Sequence, residues 1–190
     1  MNDAVVSHPT REELERGLET IREAPVADGV LELIVRRPTV GAREILQEGE
    51  LSVEDGLVGD TWKTRRSRAP DGLPDPAMQL NIMSARAAAL IARDKERWAL
   101  AGDQLFVDFD LSAANVPPGT WLAIGSAVVE VSEEPHTGCG KFTSRFGVDA
   151  QKFVNSPVGR QLGLRGINAR VVQPGRIRVG DPVTKTSAPR

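Results

Sequence analysis

Apolar and polar positions follow two rhythms along the chain. Leu14, Leu18 and Ile21 recur at helical spacing among charged residues. Thr10-Arg-Glu-Glu13 ahead of them forms a capping box, in which hydroxyl and carboxylate satisfy N–H groups that a helix start leaves open. Pro25 stops this helix, and its charged remaining faces make it peripheral. At Val30–Arg37 the period shortens to two: Leu31, Leu33 and Val35 alternate with Glu32, Ile34 and Arg36, which predicts a half-buried strand with Ile34 as the exception. Glycines at 41, 49, 56 and 59 then predict short strands and turns. Arg65–Pro76 (RRSRAPDGLPDP) has little to bury and reads as an exposed loop.

Met78–Met83 is a buried-strand candidate. Ser84 can cap a helix running from Ala85 to about Ala99, with Gly102 past its end. Leu105–Phe109, Trp121–Ile124 and Ala127–Val131 are apolar runs of strand length. After Val131 the pattern breaks: Pro135–Phe146 is rich in small and polar residues, and a short helix is expected at Asp149–Val154. Ser156-Pro157 starts another helix that Gly163 ends. Ile167–Val172 and Arg176–Val179, joined by Pro174-Gly175, predict a hairpin, and a short strand after Gly180-Asp181 closes the domain. The fold class is therefore mostly β with peripheral helices, a barrel or sandwich. Helices do not alternate regularly with strands, so a doubly wound parallel sheet is not expected. No Gly-x-Gly-x-x-Gly turn or Gly-x-x-x-x-Gly-Lys-Ser/Thr loop is present.

Composition narrows the function. The 190 residues suit one domain, with residues 1–28 as a helical preface, 29–184 as the domain and 185–190 as a tail. Lys and Arg number 24 against 26 Asp and Glu, a net charge of −2, which excludes a globally basic nucleic-acid binder. No apolar run approaches the roughly 18 residues of a membrane span. Met1–Glu23 lacks the apolar core of a signal peptide, and with a lone free thiol this points to the cytoplasm. One cysteine and two histidines leave no internal disulfide, no multi-cysteine zinc site and no histidine-rich metal centre.

The chemistry converges on Cys139, in Pro135-His-Thr-Gly-Cys-Gly-Lys-Phe-Thr-Ser-Arg-Phe-Gly147. Flanking glycines leave the thiol open, where a structural cysteine sits among apolar neighbours. From Pro135 to Arg170 the chain carries Lys141, Arg145, Lys152, Arg160, Arg165 and Arg170 against one acid, Asp149. Nearby cations favour the thiolate, a soft ligand for a metal or a sulfane sulfur, and can grip a phosphate. His136 is a candidate to orient the site or donate a proton. The plain alternatives are a satisfied surface histidine for His136, solvation for Lys141 and Arg145, and a hairpin-entry charge for Arg165. A Cys–His hydrolase is the competing chemistry, although both residues in one short loop make an unusual build for it.

These residues resemble the MOSC domain family, named for the C-terminal domain of molybdenum cofactor sulfurase. The resemblance spans about Gly29 to Val183 and rests on PHTGCGKFTSRFG at 135–147 and LRGINARVVQPGRIRVGDPV at 164–183. GLVGD at 56–60, MQLNIMS at 78–84 and DLSAANVPPGTWLAIGSAVVEV at 110–131 support it. It implies a barrel-like domain that handles the molybdenum cofactor or sulfur, with Cys139 as metal ligand or sulfur carrier and Lys141, Arg145 and Arg165 as cofactor-binding residues. Many members have a Glu-Asn pair where Ala114-Asn115 stands here; Asn115 and Arg66 are further candidates to line a pocket. No pyridoxal-phosphate domain is expected in so short a chain, so a partner would donate the sulfur. A compact reductase of N-hydroxylated compounds, served by an electron-donor reductase, and a non-catalytic scaffold are the alternatives. Neither a nucleic acid nor a membrane is an expected partner.

Overall fold

The computed structural model describes residues 7–64 and 72–187. The Thr10 capping box forms as expected: Thr10 Oγ1 accepts from Glu13 N, and Glu13 Oε2 accepts from Thr10 N. It starts α1 (Arg11–Arg16), which continues through Gly17 into α2 (Leu18–Arg22). The chain then enters β1 (Asp28–Arg36), β2 (Glu44–Leu46), β3 (Glu48–Ser52) and β4 (Gly56–Leu57). After β5 (Leu80–Ser84) come α3 (Ala85–Ala92) and a 3-10 segment (Lys95–Ala101). There follow β6 (Leu105–Asp108), β7 (Trp121–Ile124), β8 (Ala127–Val131), α4 (Gly140–Asn155), α5 (Pro157–Gln161), β9 (Ile167–Gln173), β10 (Gly175–Arg178) and β11 (Pro182–Thr186).

Seven strands close a barrel in the order β11-β7-β8-β9-β5-β6-β1, with β1 pairing back to β11. A ring with an odd number of strands cannot alternate direction throughout. The single parallel pair, β5–β6, resolves this, and parallel neighbours need a crossover, supplied by α3 and the 3-10 segment. A separate sheet, β10-β3-β4, packs onto the barrel.

β1 explains the Ile34 exception. A bulge against β6 lies between Leu31 and Leu33, so one extra residue inverts the alternation. Leu31 and Ile34 then join one core, with Ile82, Val107, Leu122, Val129 and Val183. Leu33 and Val35 join the other, with Leu14, Ile91, Trp98, Phe106, Phe142 and Phe146. The first core is drawn from strands and loops and fills the barrel; the second lies between barrel and helices.

Three expectations are corrected. The helix after Ser84 ends at Ala92, not near Ala99, because Arg93 turns to φ +63° and the chain folds back as the 3-10 segment. A straight 15-residue helix would run about 22 Å, longer than the roughly 17 Å of the five-residue strand it returns along. The hairpin at Pro174-Gly175 does not form: β9 pairs with β5 and β8, whereas β10 pairs with β3. The β7–β8 turn diverts it, since Ser126 N donates to Arg176 O (3.0 Å) and Ser126 Oγ accepts from Arg176 N (2.8 Å). Finally, Gly140–Phe146 is helical, not a loop. Phe142 and Phe146 stack one turn apart, with centroids 4.9 Å apart, and bury that face against the helix-side core.

Candidate functional site

Cys139 occupies the N-cap of α4 and is exposed. The peptide before it is clamped by Asn155, whose Oδ1 accepts from Gly138 N (2.9 Å) and whose Nδ2 donates to Gly138 O (3.1 Å). A Cβ at Gly138 would lie 3.0 Å from Val154, so the glycine permits this close approach. Partial burial disfavours the Cys139 thiolate, but the N–H groups of Phe142 and Lys141, together with the Arg165 guanidinium, outweigh it and lower the pKa. The lowering comes mainly from helix amides, with Arg165 rather than the Lys141 or Arg145 charge as its cationic contribution.

Arg165 is buried and precedes β9 at the positive-φ Gly166. Its Nη1 donates to both oxygens of fully buried Asp103 (2.9 and 2.7 Å), its Nη2 donates to Ala101 O (3.0 Å), and it stacks on Phe142. His136 Nδ1 lies 3.4 Å from the same Asp103, within ion-pair range but without hydrogen-bond geometry. Burial and the Arg165 charge push the His136 pKa down to about 4, so the imidazole is neutral at pH 7. Arg165 is thus the shared charge that acts on both His136 and Cys139.

His136, Arg165 and Asn168 line a cleft of about 440 Å³ whose apolar wall includes Leu111, Val116, Val131 and Ile167. That volume suits a small organic ligand. Three buried polar atoms on residues of this cleft lack a partner: His136 Nδ1, Arg165 Nε and Ser132 Oγ. Such atoms are costly to leave unsatisfied. Two exposed acids, Glu133 and Glu134, also line the cleft.

The other candidates are placed differently. Lys141 is exposed, and Arg145 Nη1 donates to Leu100 O. Asn115 faces away from the cleft chemistry: its Nδ2 donates to Asp110 O (2.8 Å) and its Oδ1 accepts from Lys185 (2.7 Å). Arg66 lies outside the described residues. Asp103 and Asn168 were not singled out in the sequence. Their signals were polar residues beside or within strands that are otherwise buried. Asn168 links the cleft inward, its Oδ1 accepting from Asn81 Nδ2 and its own Nδ2 donating to Glu134 O (3.0 Å). Asn81 in turn accepts from Arg37, which forms a two-pronged buried pair with Asp60 (2.7 and 2.8 Å).

The family model of the MOSC domain matches residues 74–184, which include β5 through β10, the start of β11 and every one of these cleft residues. The chain belongs to the MOSC domain family. Among solved structures, YuaD from Bacillus subtilis is 18% identical with a TM-score of 0.57, covering 85% of this chain and 97% of its own. YiiM from Escherichia coli is 23% identical with a TM-score of 0.54, covering 84% and 71%. A structure described as a hypothetical protein is 24% identical with a TM-score of 0.57, covering 89% and 72%. These likenesses concern the MOSC fold. No curated protein matches this MOSC chain significantly. Among the described residues no helix is long and apolar enough to cross a membrane, and no three His, Cys, Asp or Glu side chains converge as a metal site.

Proposed function

We propose that this MOSC domain binds the molybdenum cofactor and uses Cys139 as its reactive thiol, either to ligate the metal or to carry sulfur. The observation that carries this reading is an exposed Cys139 whose pKa is lowered in part by Arg165, a residue that also lines the neighbouring organic-sized cleft. The chain offers one soft ligand and no ligand cluster among its described residues, so the remaining metal ligands must come with the cofactor, as a pterin dithiolene provides them. Arg165, His136, Ser132 and Asn168 would hold the organic part. When bound, the cofactor supplies two-electron redox chemistry; the protein's part is to favour the Cys139 thiolate, keep His136 neutral and present a partly apolar wall. In the carrier form, the Cys139 thiolate attacks the outer sulfur of a donor persulfide, and the donor cysteine leaves as thiolate.

Molybdenum and pterin analysis of protein from a cofactor-competent host tests the binding form. The expected result is loading that Cys139→Ala reduces at least about tenfold; negligible loading in both proteins removes it. Mass spectrometry of Cys139 after incubation with a desulfurase and cysteine tests the carrier form, which an absence of persulfide removes. The organic-sized cleft, lined by His136 and Thr137 just before Cys139 in the chain, also supports a second reading, a compact reductase of N-hydroxylated compounds with a separate electron donor. Turnover of such a base by loaded protein and a chemical reductant is the expected sign of it.

A further inference from the structure

The stretch from Cys139 to Asn155 returns on itself. A straight helix with the 16 residues of α4 would hold its ends about 24 Å apart. Instead, the Asn155 amide at the end of α4 reaches the Gly138 peptide just ahead of its start. Asn155 Oδ1 accepts from Gly138 N (2.9 Å), and its Nδ2 donates to Gly138 O (3.1 Å). The break at Gly147 (φ +88°) turns the second half of α4 back toward the start of the first, and Asn155 closes the pair like a clasp. Gln151 Nε2 adds a longer contact to the same carbonyl (3.5 Å). The first half is held at its other end as well: Arg97 Nη2 donates to Arg145 O (3.0 Å), and the Arg97 guanidinium lies over the Phe146 ring.

This clasp bears on Cys139 through one peptide plane. Gly138 O and Cys139 N belong to the same trans peptide, so fixing the oxygen also fixes the N–H on the opposite side. That N–H is one of three main-chain groups that favour the Cys139 thiolate, with those of Phe142 and Lys141. The carbonyl after the thiol is fixed too, accepting from Thr143 N (3.0 Å) and Thr143 Oγ1 (3.2 Å). The thiol makes no capping hydrogen bond of its own. It therefore depends on where the peptides on either side hold these N–H groups.

We infer that Asn155 is a positioning residue for Cys139: its amide, engaged on both sides of Gly138, holds the peptide plane that aims the Cys139 N–H at the sulfur. The inference rests on Cys139 as the reactive thiol of the proposed function, but neither cofactor nor sulfur donor is needed to test it.

Alkylation of Cys139 by iodoacetamide at pH 7, followed by mass spectrometry on the unloaded protein, is the test. Asn155→Leu keeps the size and removes both bonds. Cys139 is already exposed, so a looser loop adds little access, and alkylation is expected to slow about threefold or more as the thiolate loses its N–H support. Nuclear magnetic resonance is expected to show the Gly138 amide proton exchanging at least about tenfold faster. Asn155→Gln restores the amide on a longer arm and is expected to recover part of both. Ser156→Ala is the structural control: it removes the cap of α5, where Ser156 Oγ accepts from Gly159 N (3.0 Å), and leaves the Gly138 bonds in place. It is expected to lower the unfolding temperature and to alkylate as wild type does. Circular dichroism reports folding, and Asn155→Ser, too short to span both bonds, takes over if Asn155→Leu does not fold. Alkylation of the folded Asn155 variant at or above the wild-type rate, or an equal slowing in Ser156→Ala, overturns the inference. Cofactor loading and persulfide formation are read on wild type alone, so their failure removes the proposed function without altering this comparison between variants.

Discussion

His136 and Arg165 share one buried carboxylate, and only Arg165 is charged beside it. Asp103 is fully buried and committed to the guanidinium, so protonating His136 would add a second cation to a site with one anion. The pH consequence follows from the sign of the shift. The folded-state pKa of about 4 lies below the ordinary histidine value, so the unfolded chain takes up the proton first as pH falls. Stability from neutral His136 is complete above about pH 6.5, is lost progressively between about 6.5 and 4, and changes no further below that. The expected loss is about 3 kcal/mol across that window. Urea unfolding at a series of pH values should show it in wild type, and His136→Gln should flatten the slope; an unchanged slope in the variant would place the titrating group elsewhere.

At the scale of elements, α4 is two helices joined at Gly147. That residue has φ +88° and ψ 166°, a backbone conformation open essentially to glycine alone, and a Cβ there would meet His8 at 3.1 Å. The break lets Phe142 and Phe146 bury beside Trp98 while Phe153 and Val154 follow a second axis into the same core. The first of these helices carries Cys139 at its start, so the kink helps to aim the thiol. Gly147→Ala is expected to destabilise the fold by roughly 1–3 kcal/mol, read by thermal or urea unfolding, and to slow iodoacetamide alkylation of Cys139 as the helix amides lose their alignment. Unchanged stability with unchanged alkylation would mean that the kink relaxes freely.

For the whole molecule, the decisive contact is between β1 and β11, far apart in the chain. Gly29 pairs with Val183, and β11 also pairs with β7, so the last strand removes both free edges of the barrel at once. Truncation after Asp181 is expected to expose those two edges, abolish cooperative unfolding and drive self-association, measured by calorimetry and size-exclusion chromatography. A monomer with an unchanged unfolding temperature would show that the other strand pairs hold the barrel alone. Closure also serves the site: β9 carries Asn168 between β5 and β8, and residues of the β8–α4 connection supply His136 and the cleft's acidic pair.

Local chemistry was legible in the residues themselves. The Thr10 and Ser84 caps, the strands at Trp121–Ile124 and Ala127–Val131, the Ser156-Pro157 helix start and the openness of Cys139 all depend on neighbours within a few positions. Such interactions are decided by backbone sterics and short hydrogen bonds before any tertiary contact forms. Tertiary structure alone decided the rest. Pro174-Gly175 has the chemistry of a hairpin turn, but the Ser126 turn offers β10 a different partner. Asp103 stands 33 residues before His136 and 62 before Arg165, and the buried Arg37–Asp60 pair spans 23 residues. Strand partners and buried charge pairs are chosen by which groups the closed barrel takes away from water together, and no stretch of local sequence holds that information.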